Sequence, residues 1–272
     1  MQLCQVQYQG QTCLARRSGS GLEILGGLSG LMDGILHPER LKEAPVLTVI
    51  AEEGARFLPV VTRPGKILCV GVNYRKHIEE CGEKLPAEPV LFSKFSTALS
   101  AHGDEVAIPA CARKIDYEAE LVIVVGRGGK DLTREQAKKA IFGYTCGNDL
   151  SARDLQFVSG QWLLGKTPDG FAPVGPWVAT ADAFSPEGKR VASYVNGEQR
   201  QCGNTDQMIF DCAEIVRYIS QTMTLEPGDL IFTGTPDGVI LGYPEPEQVW
   251  LRPGDRVEVE IEGIGRLCTR LR

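Results

Sequence analysis

The chain has 272 residues, 43% of them hydrophobic, and its 29 Lys and Arg against 35 Asp and Glu give a net charge of −6. That length supplies one large domain, or a large one with a small appendage. No basic run offers an electrostatic footprint for nucleic acid, and no apolar stretch approaches the length of a membrane span.

Residues 1–62 read as a small N-terminal α+β domain of short strands and turn clusters. CQVQY and TCLARR flank a hairpin turn at Gln9-Gly10-Gln11, and Leu22–Leu25 is a third short strand. Leu28–His37 suits a helix stopped by Pro38, with His37 facing the last carbonyls rather than a ligand. Arg63-Pro64-Gly65-Lys66 then opens the strand ILCVGV, and the larger domain, residues 63–272, begins there. The same Pro-Gly punctuation returns at Glu226–Asp229 and Arg252–Asp255, each pair delivering a strand. Helices are predicted over Asn73–Cys81, Thr133–Phe142, Ser151–Phe157 and Thr205–Gln221. The gaps between strands are too long for a simple sandwich, so the pattern predicts a mixed, highly curved sheet with peripheral helices. Nine cysteines run from Cys4 to Cys268 without a CxxC pair, as expected of reduced thiols in a cytoplasmic protein. MQLCQVQYQG carries no signal-peptide pattern, and His37, His77 and His102 are too few for a His-rich zinc site.

The chemistry centres on Ile115–Gln156. Asp116, Glu118 and Glu120 alternate with Tyr117, Ala119 and Leu121, which is strand periodicity and puts three carboxylates on one face. The apolar run Leu121–Val125 carries that strand into the core, where carboxylates are costly to keep ionised without a counter-charge. A divalent cation is the simplest remedy, and Asp149 can bring a third oxygen ligand to it. Such an all-carboxylate site suits Mg²⁺ or Mn²⁺ better than Zn²⁺. The competing reading is an edge strand whose acidic face looks at water. Gly126-Arg127-Gly128-Gly129-Lys130 has neither the Walker spacing nor GxGxxG, and Thr133 with Gln136 caps the helix that follows, so its glycines only make a turn. No GxSxG serine elbow occurs.

Four further features converge on the acidic stretch. After Asn73, a predicted helix N-cap, His77 and Glu80 lie three apart on one helical face, and an imidazole beside a carboxylate is the usual equipment for activating water. Asp149, Arg153 and Gln156 fall at i, i+4 and i+7, and Arg153 is placed either to neutralise carboxylates or to clamp a substrate carboxylate. Lys166 is a lone cation in a Gly- and Pro-rich loop, suited to a developing enolate or a substrate carboxylate. Thr233-Gly234-Thr235-Pro236 offers hydroxyls and N–H groups at a strand end as an oxyanion or carboxylate cradle. Each has a plainer reading as surface pair, structural ion pair, solvated lysine or tight turn.

Taken in order, GVNYRKHIEE, DYEAEL, GNDLSARDLQ, GKTPDGFAPVGPW, VNGE and PGDLIFTGTPDGV resemble the fumarylacetoacetate hydrolase family from Gly65 to the C-terminus. The resemblance implies an α+β, β-rich chain with a twisted β-roll or barrel-like catalytic fold, assembled as a homodimer around Mg²⁺ or Mn²⁺. It assigns the metal to Glu118, Glu120 and Asp149, a His–Glu dyad on a lid to His77 and Glu80, and the active-site lysine to Lys166. It sets Arg153, Gln156 and Thr235 facing the substrate or supporting the metal, and leaves Asp116 structural. GVNYRKH has no Asp for a fourth ligand, so water is expected there. The implied substrates are 2-oxo acids and 1,3-dicarbonyls. Hydrolysis of a C–C bond in an acylpyruvate-like compound is the first expectation. A decarboxylase of oxaloacetate type or an isomerase of 2-hydroxyhepta-2,4-diene-1,7-dioate type is the alternative, and a relative that binds without turnover is the third.

Overall fold

The computed structural model describes residues 1–272. Its central element is the strand Ala119–Val125, buried at every residue. The strand pairs antiparallel with Ile141–Asn148 on one side and with Leu230–Phe232 on the other. Burial on both faces is why the sequence runs apolar without alternation. Ala119, Leu121, Ile123 and Val125 pack into one core with Val191, Val259 and Ile261, whereas Val122 and Val124 pack into another with Ile67, Val178 and Phe232. The acidic stretch therefore leads into a central strand, and the edge-strand reading is excluded.

Ile67–Gly71 follows Leu230–Phe232 in parallel, and Val90–Lys94 completes that edge. On the other side the sheet continues through Val178–Thr180 into Gln2–Tyr8, Gln11–Ser18, Gly21–Leu25 and Val46–Ile50. The junction is the pairing of Gln2 with Ala179 and Leu3 with Val178. The eleven-stranded sheet ends in open edges rather than closing as a barrel, and a five-stranded sheet of Glu105–Val106, Arg190–Val195, Glu198–Asn204, Arg256–Ile261 and Gly265–Leu271 accompanies it. The fold is sheet-rich, as expected from the sequence.

This topology gathers the site at one end of the large sheet. The start of Ala119–Val125 lies beside the end of Ile141–Asn148, and Leu230–Phe232 and Ile67–Gly71 finish at the same end. Glu118 and Glu120, Asp149, the Thr233–Thr235 turn and the His77 helix are thus brought together from four distant stretches of chain.

Local expectations fare unevenly. The hairpin forms, with Gln9 at φ 49° and Gly10 at φ 78°, the pair of positive angles a two-residue turn requires. The first helix shortens to Leu31–Leu36, and the capping box of Thr133 and Gln136 opens Arg134–Ala140. Ser151–Phe157 is not one helix: Ser151–Ala152 pairs with Ile115–Asp116 and only Arg153–Gln156 is helical. Thr205–Gln221 also divides, into a 3-10 turn at Thr205–Gln207 and a helix Cys212–Thr222 whose N-cap is Asp211.

Candidate active site

Four buried carboxylates stand at the start of the central strand: Asp116, Glu118, Glu120 and Asp149. Three buried cations meet them. Arg153 donates to Asp116 Oδ2 at 3.0 Å, to Glu118 Oε1 at 2.6 Å and to Gln156 Oε1 at 2.9 Å. Lys166 Nζ donates to Glu118 Oε2 at 2.7 Å and Asp149 Oδ2 at 2.9 Å. Lys94 Nζ lies 2.5 Å from Asp149 Oδ1 but points its hydrogens at the carbonyls of Leu150, Lys166 and Phe171. Asp149 Oδ1 thus receives charge without a hydrogen bond. Arg153 pairs with neither Asp149 nor Asp154; the latter accepts the backbone N–H groups of Arg113 and Lys114.

Three cations against four carboxylates leave one negative charge in excess, and it falls on Glu120. Burial pushes the Glu120 carboxyl well above the usual range, and the charges of Asp149 and Glu118 push it further. Burial works the same way on Glu118, but Lys166 and Arg153 outweigh it and hold that carboxyl well below. Glu120 accepts one hydrogen bond, from Gly234 N–H to Oε2 at 2.6 Å. Oxygens of Glu118, Glu120 and Asp149 lie within 4.8 Å of one another. Oxygen-only donors and a buried Glu120 carboxyl with no cation of its own fit a hard divalent cation.

The dyad stands across a small cleft. His77 Nδ1 is 2.7 Å from Glu80 Oε1, and Glu80 Oε2 accepts Gly238 N–H at 2.9 Å. Burial alone would lower the imidazole's pKa, but Cys81 and Glu80 beside Nδ1 and the charge of Glu118 outweigh it, and the value is pushed up to about 10. Glu80 is the stronger partner, since a thiol 3.9 Å away is a weak acceptor. The cleft measures about 70 Å³, and His77, Glu118, Glu120, Arg153, Lys166 and Trp162 are among its walls. Trp162 packs so closely on Gly71 that a Cβ there would lie 2.7 Å from its ring. Val72, between that strand and the dyad helix, sits at φ 49°, a strained conformation for a β-branched residue.

Residues 66–272 match the family described as Fumarylacetoacetate (FAA) hydrolase C-terminal. The chain belongs to the fumarylacetoacetate hydrolase family. A relative named oxaloacetate tautomerase FAHD2A, mitochondrial, from Homo sapiens is 41% identical over 242 residues, covering 88% of this chain and 76% of that protein. The solved fumarylacetoacetate hydrolase from psychrophilic Exiguobacterium antarcticum superposes with a TM-score of 0.89 at 36% identity, covering 100% of this chain and 99% of its own. A 2-hydroxyhepta-2,4-diene-1,7-dioate isomerase from Mycobacterium marinum superposes at 0.81 and 33% identity, covering 100% and 98%.

In this member of the family the structure gathers every site residue expected from the sequence, though some perform different work. Thr235 Oγ1 donates to Ala119 O at 2.9 Å, and Thr233 Oγ1 to Leu121 O at 2.8 Å. The turn's Gly234 N–H holds the protein's own Glu120, and Gly234 and Thr235 also line the cleft. Asn73 caps nothing: Tyr74 is the N-cap of Arg75–Cys81. Its buried amide instead donates to Phe210 O and Thr233 O and accepts Phe210 N–H. Asp116 is structural as expected, holding the N–H groups of Tyr117, Ile240 and Leu241 besides Arg153. Sequence reasoning missed Lys94 and Gln201, whose side chain joins Ala119 N–H to Thr235 and Pro236. A lysine closing the apolar segment VLFSK was the available signal for Lys94; Gln201 offered none.

Proposed function

We propose that the protein is a tautomerase of a short 2-oxo diacid of the oxaloacetate type, interconverting its enol and keto forms with the help of a divalent metal. The observation that carries this reading is the His77–Glu80 pair, a carboxylate 2.7 Å from an imidazole whose pKa is pushed up to about 10, set over a cleft of about 70 Å³. An imidazole kept protonated is equipped to hand a proton to an enolate carbon and, once neutral, to take it back. A ring biased toward its protonated form suits that work better than taking a proton from water, which hydrolysis would demand. A cleft far below the ~300 Å³ of a drug-sized pocket suits a compact acid. The relatives named a tautomerase and an isomerase support the same side, so the reading moves from C–C hydrolysis toward the isomerase half of the alternative, with oxaloacetate as the substrate type.

Glu118, Glu120 and Asp149 would hold Mg²⁺ or Mn²⁺, which when bound supplies Lewis-acid polarisation of the 2-oxo group. Lys166 and Arg153 keep Glu118 ionised; with two of its three N–H bonds committed to carboxylates, Lys166 turns over the Phe92 ring, 5.0 Å from its centre. Gln156 and Thr235 position their neighbours, and His77 moves the proton. The homodimer implied by the resemblance belongs to the same proposal, and light scattering decides it. No helix is long and apolar enough to cross a membrane. All nine cysteines are free, which fits a reducing compartment; since the human relative is named mitochondrial, the expectation of a cytoplasmic place widens to any such compartment.

The deciding experiment follows the ultraviolet decay of enol-oxaloacetate with Mg²⁺ beside the cleavage of an acylpyruvate. Enzyme-accelerated ketonisation exceeding acylpyruvate cleavage is expected. Faster acylpyruvate cleavage would overturn the assignment.

A further inference from the structure

Cys81 has no part in that reaction, yet it stands beside the group that performs it. It lies at i+4 from His77 with Glu80 at i+3, so all three share one face of the helix Arg75–Cys81. Cys81 Sγ is 3.9 Å from His77 Nδ1, and Glu80 Oε1 is 2.7 Å from the same nitrogen. One ligand atom from each lies within 4.8 Å of the others. The Gly238 N–H on Glu80 Oε2, at 2.9 Å, is the kind of outer hydrogen bond that orients a ligating carboxylate. Cys81 and Glu83 both line the substrate cleft, so an ion can reach the cluster from solvent.

We infer that His77, Glu80 and Cys81 form a second metal site, selective for a thiophilic divalent ion such as Zn²⁺, and that filling it switches the enzyme off. Zinc takes nitrogen, sulfur and carboxylate ligands at about 2.0–2.3 Å, which sets neighbouring ligand atoms about 3–4 Å apart, close to the spacing here. Magnesium prefers oxygen alone, so donor softness sorts the two ions: Mg²⁺ to Glu118, Glu120 and Asp149, Zn²⁺ to the lid helix. Coordination expels the Nδ1 proton and the thiol proton to solvent, two per ion. With Nδ1 coordinated, the imidazole no longer cycles through its protonated form. The inhibition rests on the tautomerase reading; the binding does not.

The test keeps the full-length enzyme in saturating Mg²⁺ and titrates Zn²⁺ while following enol-oxaloacetate. In parallel, Co²⁺ serves as a coloured probe whose sulfur-to-metal absorption reports a thiolate ligand. Zinc should inhibit the wild type, and Cys81→Ser should need at least roughly tenfold more zinc relative to its own zinc-free rate. The cobalt band should vanish in Cys81→Ser and Cys81→Ala but persist in Glu120→Gln. Melting curves confirm that each variant is folded, and two replacements at a half-exposed position guard against a defect of either one. A cobalt band unchanged by both Cys81 variants overturns the site, as does zinc inhibition that extra Mg²⁺ relieves and Cys81→Ser leaves intact. If the wild type fails to act on oxaloacetate, the tautomerase reading falls alone, and the cobalt band still decides the site.

Discussion

At His77 two opposing effects meet, and the winner sets the chemistry. Burial favours the neutral ring; the neighbours at Nδ1 favour the charged one and prevail. A folded pKa near 10 against about 6.5 unfolded stabilises the protein fully below pH ~6.5, and that contribution is lost as pH rises through about 10. The unfolding free energy of the wild type should therefore exceed that of Glu80→Gln most at about pH 6, with the gap narrowing toward pH 10. Any cost from the Gly238 hydrogen bond shifts the curve without bending it, so denaturant titrations across pH read the effect. His77→Ala should lose roughly 10²–10⁴-fold in kcat for ketonisation while still binding a chelating oxo acid, checked by calorimetry with oxalate. Lys94 carries the other prediction at this scale. Replacing it with Met leaves the buried Asp149 carboxylate to Lys166 alone and three backbone carbonyls unpaired, so Lys94→Met in EDTA should cost on the order of 3–5 kcal/mol in urea titrations. Adding Mg²⁺ should recover more stability in the variant than in the wild type. His77, Glu118, Glu120 and Asp149 were legible because their chemistry shows in spacing and in acidic residues beside an apolar run. Lys94 was not, because a lysine at a strand end is ordinarily exposed and its partners lie 56–77 positions away.

Among elements, the long and periodic were readable and the short were not. Leu121–Val125 declares a buried strand by composition, and the Thr133–Gln136 box fixes its helix. Arg153–Gln156 has four residues, too few for its own periodicity to separate it from the bridge Ser151–Ala152 before it. Asn73 shows how a local rule loses to a distant contact. Its sequence position suits an N-cap, but its amide spans from the segment leading into Arg75–Cys81 to Thr233 and Phe210. The two readings predict different outcomes for one substitution. Ser caps about as well as Asn, so a cap would make Asn73→Ser nearly neutral. A bridge makes Asn73→Ser as harmful as Asn73→Ala, each leaving buried groups unpaired at about 1–3 kcal/mol apiece. Both variants should melt lower by similar amounts and lose kcat together, because the Thr233 carbonyl precedes the Gly234 N–H that holds Glu120. A stable Asn73→Ser would restore the cap.

Over the whole molecule, the sheet's job is to bring one end of four strands to a point and surround it with enough packed surface to keep like charges together. The turn at Arg63–Lys66 was visible in the sequence, whereas the sheet running across it was not. Pairing of Gln2 and Leu3 with Ala179 and Val178 spans more than 170 positions, and no local pattern encodes it. Leu3, Leu14 and Leu31 accordingly share a core with Val122 and Phe232, next to the strand that carries the carboxylates. The stability of the fold and the occupation of the site are then one equilibrium. An ion that binds only the folded chain adds RT ln(1 + [L]/Kd), about 2.7 kcal/mol at a hundredfold excess over Kd. Mg²⁺ should therefore raise the melting temperature of the wild type in a concentration-dependent way. Glu120→Gln removes the carboxyl whose ionisation burial, Asp149 and Glu118 oppose, and the amide oxygen can still accept the Gly234 N–H. Without metal the variant should melt at or above the wild type; in saturating Mg²⁺ the order should reverse, because the wild type gains and the variant scarcely does. Calorimetry of both proteins in EDTA and across a Mg²⁺ series checks the crossing. Parallel curves, or a wild type indifferent to Mg²⁺, would mean that Lys94, Arg153 and Lys166 alone hold the carboxylates together.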